Sequence, residues 1–408
     1  MNLNKILFAG ISTAMLGISC SDIKNGITDK PPVIDTASLN HLDFTVEPAN
    51  DWSALFKRTS GWFGGDGIFA VTLDGKENNG AAKNSETFIW FSDTILGEVE
   101  DDSLRNELTM INNSMAILDG GEPSESSIQF RWDSSNQKPA SLFIPKTPAT
   151  GKGDYYWLGD GFVNQEKNND LYIFGYRIRN TDPGAPFGFE ETGNTLVIVP
   201  GGQKPPFKNY RQLDIPFFLN QKIDSTGSFG AGILVNTKEA GAVYPDGYVY
   251  IYGVRGRAKN VMVARVLPTQ IESFDQWRFW DGKEWNSDPA KIQTITDRTS
   301  NELSVSPLGD GRYAMIFQLD GLGKYVGMRL GASPVGPFGP PIQVYDVSND
   351  LEKDKDIFPY NAKAHPVLSQ PNQLLISFNV NSFDFFNDIK SFPNLYRPRF
   401  IRMKYNLK

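Results

Sequence analysis

Residues 61–97 read GWFGGDGIFAVTLDGKENNGAAKNSETFIWFSDTILG. Two β-rich runs flank a polar connection. Asp66, in Gly64-Gly65-Asp66-Gly67, opens the first run, and Asp93, in Phe91-Ser92-Asp93-Thr94, closes the second. In an antiparallel pair the start of one strand lies beside the end of the next, so both carboxylates are expected at one edge of a sheet. The glycines around Asp66 remove side-chain bulk where a ligand would meet the backbone.

The same pattern returns along the chain. After 67–73 with 87–92 and 114–118 come 157–164 with 171–177 and 195–200, then 230–236 with 248–255 and 261–266. Two further units follow: 303–307 with 313–319 and 325–330, and 364–369 with 373–379 and 400–405. Gly, Asn, Asp and Pro bound the runs, and no long helical periodicity intervenes. Five antiparallel sheets of three or four strands, so spaced, define an all-β chain and suit a five-bladed β-propeller. Tandem β-sandwiches would give a similar list. The propeller is preferred because the unit starts bring Asp66, Asp160, Gly230, Glu302 and His365 to equivalent places, and the second-strand ends bring Asp93, Arg177, Arg255 and Asn379. Around an axis these positions converge; in sandwiches they scatter.

The 408 residues, 12% aromatic with 38 Gly and 26 Pro, suit one large domain of short strands and many turns. A net charge of −7 without a basic stripe excludes nucleic acid as a partner. The first twenty residues, with one lysine, an apolar run and Cys20, read as a lipoprotein signal peptide whose cysteine carries the lipid. An ordinary cleaved signal with an incidental cysteine is the alternative. Residues 21–40, with Lys30-Pro31-Pro32, read as a flexible tether, and 41–408 as the domain. With the chain's one cysteine lipidated, no internal disulfide forms. The expected location is a bacterial membrane, in particular the outer membrane, facing the cell surface or the periplasm, and a monomer is expected.

Asp66 and Asp93 are the candidate acid–base pair, one held protonated by burial and by its neighbour's charge. Each also reads as a turn residue, through a Gly-Asp-Gly turn and an Asx-turn. Glu302, heading an alternating strand, is the third candidate acid. Asp160, in Gly159-Asp160-Gly161, would tune the pair or bind a hydroxyl. Arg177, Arg255, His365 and Asn379 are candidate substrate contacts, and Trp62 and Trp157, beside the Gly-Asp-Gly sites, candidate stacking platforms. With two histidines and no Cys/His cluster no transition-metal site is expected and no cofactor required, though a structural cation would fit in a central channel beside His365.

GGDGIFAVTLDG…FIWFSDT, NELSVSPLGDGRYAMIF with SPVGPFGPP, and YNAKAHPVLS…LLISFNVN together resemble a group of five-bladed propeller proteins first known as domains of unknown function, some of which are endo-D-arabinanases. The group is related in architecture to arabinanase and fructosidase propellers. The resemblance covers nearly all of the chain after the tether. It implies hydrolysis of furanosidic linkages in an arabinan-like glycan by axial carboxylates, and places the family's aspartates on Asp66 and Asp93. Ser92 stands where that group usually has glycine, and a longer insertion, 76–85, is expected at the lip of the cleft. A non-catalytic glycan-binding surface lipoprotein is the competing reading; it would show an exposed aromatic platform without converging carboxylates.

Overall fold

The strand Glu86–Phe91 explains how the molecule is put together. Successive strand residues face opposite sides, and here Phe88, Ile89, Trp90 and Phe91 are all buried. A strand apolar on both faces must be covered on both. Phe88 and Trp90 pack with Tyr156, Leu158 and Ile173, whereas Ile89 and Phe91 pack with Leu375 and Phe400.

This is a computed structural model, and it describes residues 31–100, 103–182, 187–219 and 227–407. The signal peptide, Cys20 and most of the tether lie outside those residues. The first large sheet comprises Phe69–Thr72, Glu86–Phe91, Ser114–Asp119 and Ile128–Arg131, and the second Tyr155–Asn164, Asp170–Asn180, Phe189–Val199 and Arg211–Asp214. The third runs from Gly227–Asn236 through Tyr248–Arg255, Asn260–Val266 and Arg278–Trp280 to Trp285–Asn286. The fourth comprises Leu303–Pro307, Tyr313–Gln318, Tyr325–Gly331 and Ile342–Asp346. The fifth joins both ends of the domain: Ile357–Ala364, Gln373–Ser382 and Arg399–Asn406 are completed by Asp43–Pro48, which pairs antiparallel with Arg399–Asn406. Beyond Asp66 and Asp93 the first sheet's hairpin continues as a smaller sheet of Ser60–Gly65, Thr94–Glu100 and Ser103–Ile111.

What holds the sheets together is the two-sided alternation. Phe162, Tyr172 and Ile198 of the second sheet pack with Val249, Ile251 and Met262 of the third. Tyr250 and Tyr252, on the third sheet's other face, pack with Val305, Met315 and Phe317 of the fourth. Ile316 and Met328 of the fourth meet Ile376 and Met403 of the fifth, and the fifth returns to the first through Leu375 and Phe400. Each of these sheets therefore shares an apolar cluster with the one before and the one after. The fold is all-β and propeller-like.

Three expectations about boundaries change. The fifth unit begins at Ile357 rather than 364, and Asp43–Pro48 adds a strand to it. The chain is folded before residue 41: Thr36–Asn40 forms a 3-10 helix capped by Asp35, Leu39 is buried, and Arg312 donates to the carbonyls of Ser38 and His41, each at 2.9 Å. The insertion 76–85 does not form the lip over the acids. Because Phe69 pairs with Trp90 and Thr72 with Thr87, that loop joins the strand ends remote from Asp66 and Asp93.

Candidate active site

The first strand of four of the five sheets is interrupted near its beginning. Gly67, between Ser60–Gly65 and Phe69–Thr72, has φ +62°. The pairing slips between Leu158 and Gly161, around Asp160, and again between Phe229 and Gly232, around Gly230 with φ +108°. It slips once more between Tyr360 and Lys363, around Asn361 with φ +57°. Glu302 directly precedes Leu303–Pro307. Such bulges stop pairing and re-aim the side chain, and here they turn Asp66, Asp160, Glu302 and Asn361 toward one another. Asn361 Nδ2 donates to Glu302 Oε1 at 2.8 Å, and Lys363 Nζ pairs with Glu302 Oε2. A Cβ at Gly67 would lie 2.7 Å from Ser92 Oγ and 3.3 Å from Glu302 Oε1, so only glycine suits both its conformation and its surroundings.

Asp66 and Asp93 are neighbours, as the antiparallel argument requires: the Asp66 N–H donates to the Asp93 carbonyl at 3.2 Å and the Ser92 N–H to the Asp66 carbonyl at 2.8 Å. Their carboxyls have unequal company. Asp66 Oδ2 accepts from the Tyr360 hydroxyl at 2.7 Å. Burial pushes the Asp66 carboxyl up, while the Tyr360 and Tyr396 hydroxyls and the Lys363 charge pull it back. Asp93 Oδ1 accepts from Asn112 Nδ2 at 3.1 Å. Burial first, and the charge of Asp66 second, push Asp93 up to about 7, opposed by Asn112 and by the Trp157 indole. The Tyr360 hydroxyl and the nearby Lys363 ammonium offset part of what burial does to Asp66, and no such cation acts on Asp93.

Asp160 and Glu302 are also held at about 7, both chiefly by burial. Asp160 accepts from the backbone N–H groups of Gly161 at 2.8 Å and Ile233 at 2.7 Å. Beside it is a cavity of about 60 Å³ lined by Glu77, Lys363, His365 and Ser304. Lys363, buried, places its ammonium 4.0 Å from the Phe69 ring centroid as well as against Glu302. His365 is not a free ligand: its Nε2 is 2.7 Å from Ser377 Oγ, and burial, with the Lys363 charge, lowers it to about 3, so the ring is neutral. Among the described residues no three His, Cys, Asp or Glu side chains converge as metal ligands. The positive charge beside Glu302 is that of Lys363.

The remaining expected residues divide. Trp157 comes to the pair, and Asn379 lies behind it, its Nδ2 donating to the Gly65 carbonyl at 3.3 Å. Trp62 does not offer a stacking face. It is 1% exposed and lies against Phe130, centroids 4.4 Å apart at 20°, under the backbone of Gly65. Arg177 is consumed by Asp214, at 2.6 Å, and Asp154, at 3.6 Å, and Arg255 reaches Thr294 at 3.3 Å. Sequence reasoning missed Tyr360, Tyr396, Asn112, Asn361 and Lys363. The one signal for three of them was the polar break in Tyr360-Asn361-Ala362-Lys363, which interrupts a strand of apolar alternation.

Residues 49–405 match the family model described as Domain of unknown function (DUF5005), and the chain belongs to that family. A solved structure of a "putative hydrolase" from Bacteroides ovatus shares the fold at 22% identity and a TM-score of 0.67, covering 92% of this chain and 96% of that one. The α-L-arabinofuranosidase of Podospora anserina, solved with cellotriose, aligns at 10% identity and a TM-score of 0.41 over 86% of this chain and 98% of that one. An exo-β-1,3-galactanase of Phanerochaete chrysosporium, solved with β-1,3-galactotriose, aligns at 10% and 0.41 over 83% and 60%. No curated protein sequence matches the chain.

Proposed function

We propose that this chain is a five-bladed propeller glycoside hydrolase that cleaves furanosidic linkages in an arabinan-like polysaccharide, carried on a lipid at Cys20 in the outer membrane. The observation behind the proposal is the half-buried pair of Asp66 and Asp93 with unequal hydrogen-bond partners. Glycosidic cleavage needs one carboxyl that holds a proton and one that has lost it. Asp66, with the Tyr360 hydroxyl donor and the Lys363 charge, takes the role of ionised base or nucleophile. Asp93, with a pKa about 7 opposite that charge, protonates the leaving oxygen. Glu302, Asp160 and Trp157 hold the sugar, with Lys363 paired to Glu302. The furanose assignment rests on the resemblance of residues 61–97 and the two later motifs, not on the geometry. The binding-module reading expects an exposed aromatic platform without converging carboxylates, and gives no account of two carboxyls driven together at this burial cost.

The test is product chromatography after incubation with arabinans, arabinogalactans and fructans. Oligosaccharide release by the parent and by neither Asp66→Asn nor Asp93→Asn is expected. A glycan retained equally by all three proteins and cut by none would reverse the assignment in favour of binding.

A further inference from the structure

A continuous run of aromatic rings starts at one acid and ends at the other. Trp157, whose indole lies near Asp93, meets the Phe189 ring edge-on with centroids 4.6 Å apart. Phe189 is followed by Phe187 at 6.1 Å, and Phe187 by Phe383 at 5.7 Å and Phe358 at 6.3 Å. Phe358 lies 5.9 Å from Tyr360, the hydroxyl of which holds Asp66. Trp157 and Phe189 belong to the second sheet, Phe358 and Tyr360 to the fifth. Those sheets are separated by the first, against which each packs. The rings therefore bridge over the end of the first sheet where both aspartates emerge.

The middle of this arc faces solvent: Phe187 is 56% and Phe383 45% exposed. Phe187 also has φ +57°, a conformation that bulky residues avoid unless something requires the side chain where it is. No polar hydroxyl in the arc other than that of Tyr360 is needed to explain these contacts, and exposed rings beside buried carboxyls match the way sugars are held, apolar face on a ring and hydroxyls on polar groups.

We propose that this arc is a wall that stacks against the terminal sugar of a neutral glycan chain and closes one flank of the cleft, so that linkages are cut at chain ends. The proposal rests on the hydrolase reading above, and it departs from the interior cleavage that the family resemblance would suggest. Polar groups adjoin the arc as well: Tyr176 pairs with Trp157 across the strands, Glu191 follows Phe189 by two residues on one strand, and Lys259 donates to Asn301 next to Glu302.

The experiment compares the full chain with Phe187→Ser/Phe383→Ser and with Phe187→Tyr on linear arabinan and on end-labelled arabino-oligosaccharides. The parent should release short products with little early loss of viscosity. The double serine variant should show kcat/KM about tenfold lower on short oligosaccharides, mostly through KM, and a shift toward interior cuts; Phe187→Tyr, which keeps the ring, should behave as the parent. Rapid viscosity loss with the parent, or identical product patterns for parent and double variant, would overturn the proposal. Should no protein hydrolyse any glycan, the hydrolase reading falls by itself, and retardation in arabinan-containing gels decides for the arc: retention of the parent but not of the double variant supports it, equal migration refutes it. A difference between the two only in binding to phosphatidylethanolamine–phosphatidylglycerol vesicles would also refute it, making the rings a membrane contact.

Discussion

At the scale of single residues, the division of labour between Asp66 and Asp93 comes from what each carboxyl touches. Tyr360 donates to Asp66 Oδ2, and the donated bond stabilises the anion more than the acid. Tyr360→Phe removes that donor, so the Asp66 pKa rises and the acidic limb of the pH–rate profile moves to higher pH, with kcat about tenfold lower near neutrality. A profile that keeps its acidic limb would take Asp66 out of the base role. Asp93→Asn removes the proton donor, and a loss of about 10²–10⁴-fold is expected for glycans with poor leaving groups. Glycosides with an activated phenolate leaving group need no protonation and should lose much less. Equal losses on both substrates would mean that Asp93 is not the acid.

At the scale of the element, Ser92 is the joint between the first and second sheets. Its hydroxyl accepts from the Leu158 N–H at 2.8 Å and donates to the Leu158 carbonyl at 3.1 Å, directly before the bulge that aims Asp160. Ser92→Ala leaves a buried N–H without a partner, and should cost about 1–3 kcal/mol in urea unfolding with an unchanged slope. Midpoints that coincide with the parent's would show that water replaces the hydroxyl. This joint illustrates how far the sequence could be read. The hairpin that brings Asp66 beside Asp93 was legible because apolar residues run on both faces of Glu86–Phe91, and antiparallel pairing then dictates which ends meet. Glu302 was legible as the head of an alternating strand. Lys363 was not, since a lysine in a strand ordinarily reads as exposed, and its burial depends on Glu302, a partner 61 residues earlier on another sheet. The assignments to Trp62 and Arg177 failed for the same physical reason. Phe130, 68 residues on, stacks on the indole, and Asp214, 37 residues on, takes the guanidinium. Neither interaction is local.

At the scale of the whole molecule, the same acids that suit catalysis work against folding. Asp93, Asp160, Glu302 and Glu191 titrate at about 7 in the folded chain, each mainly through burial, against ordinary values of 3.8 for Asp and 4.5 for Glu. Between those values the folded chain binds more protons than the unfolded one, so stability falls as pH rises through this window and levels off above it. Surface carboxylates act in the opposite sense. Asp346, held at about 2 by Ser348 and Lys324, contributes stability above an ordinary Asp value that is lost as pH falls, but its exposure lets solvent screen most of that contribution. The balance puts maximum thermal stability at mildly acidic pH, with Tm several degrees lower at about pH 8 than at about pH 5. Asp93→Asn deletes one buried charge while keeping the shape and the contact with Asn112. Its Tm should exceed the parent's at about pH 8, and the gap should close toward about pH 5, where Asp93 is already protonated in the folded chain. A variant curve that runs parallel to the parent's across this range would show that Asp93 titrates near its ordinary value. A variant that is inactive yet more stable at neutral pH would identify the cost of holding that carboxyl in place as one paid for chemistry.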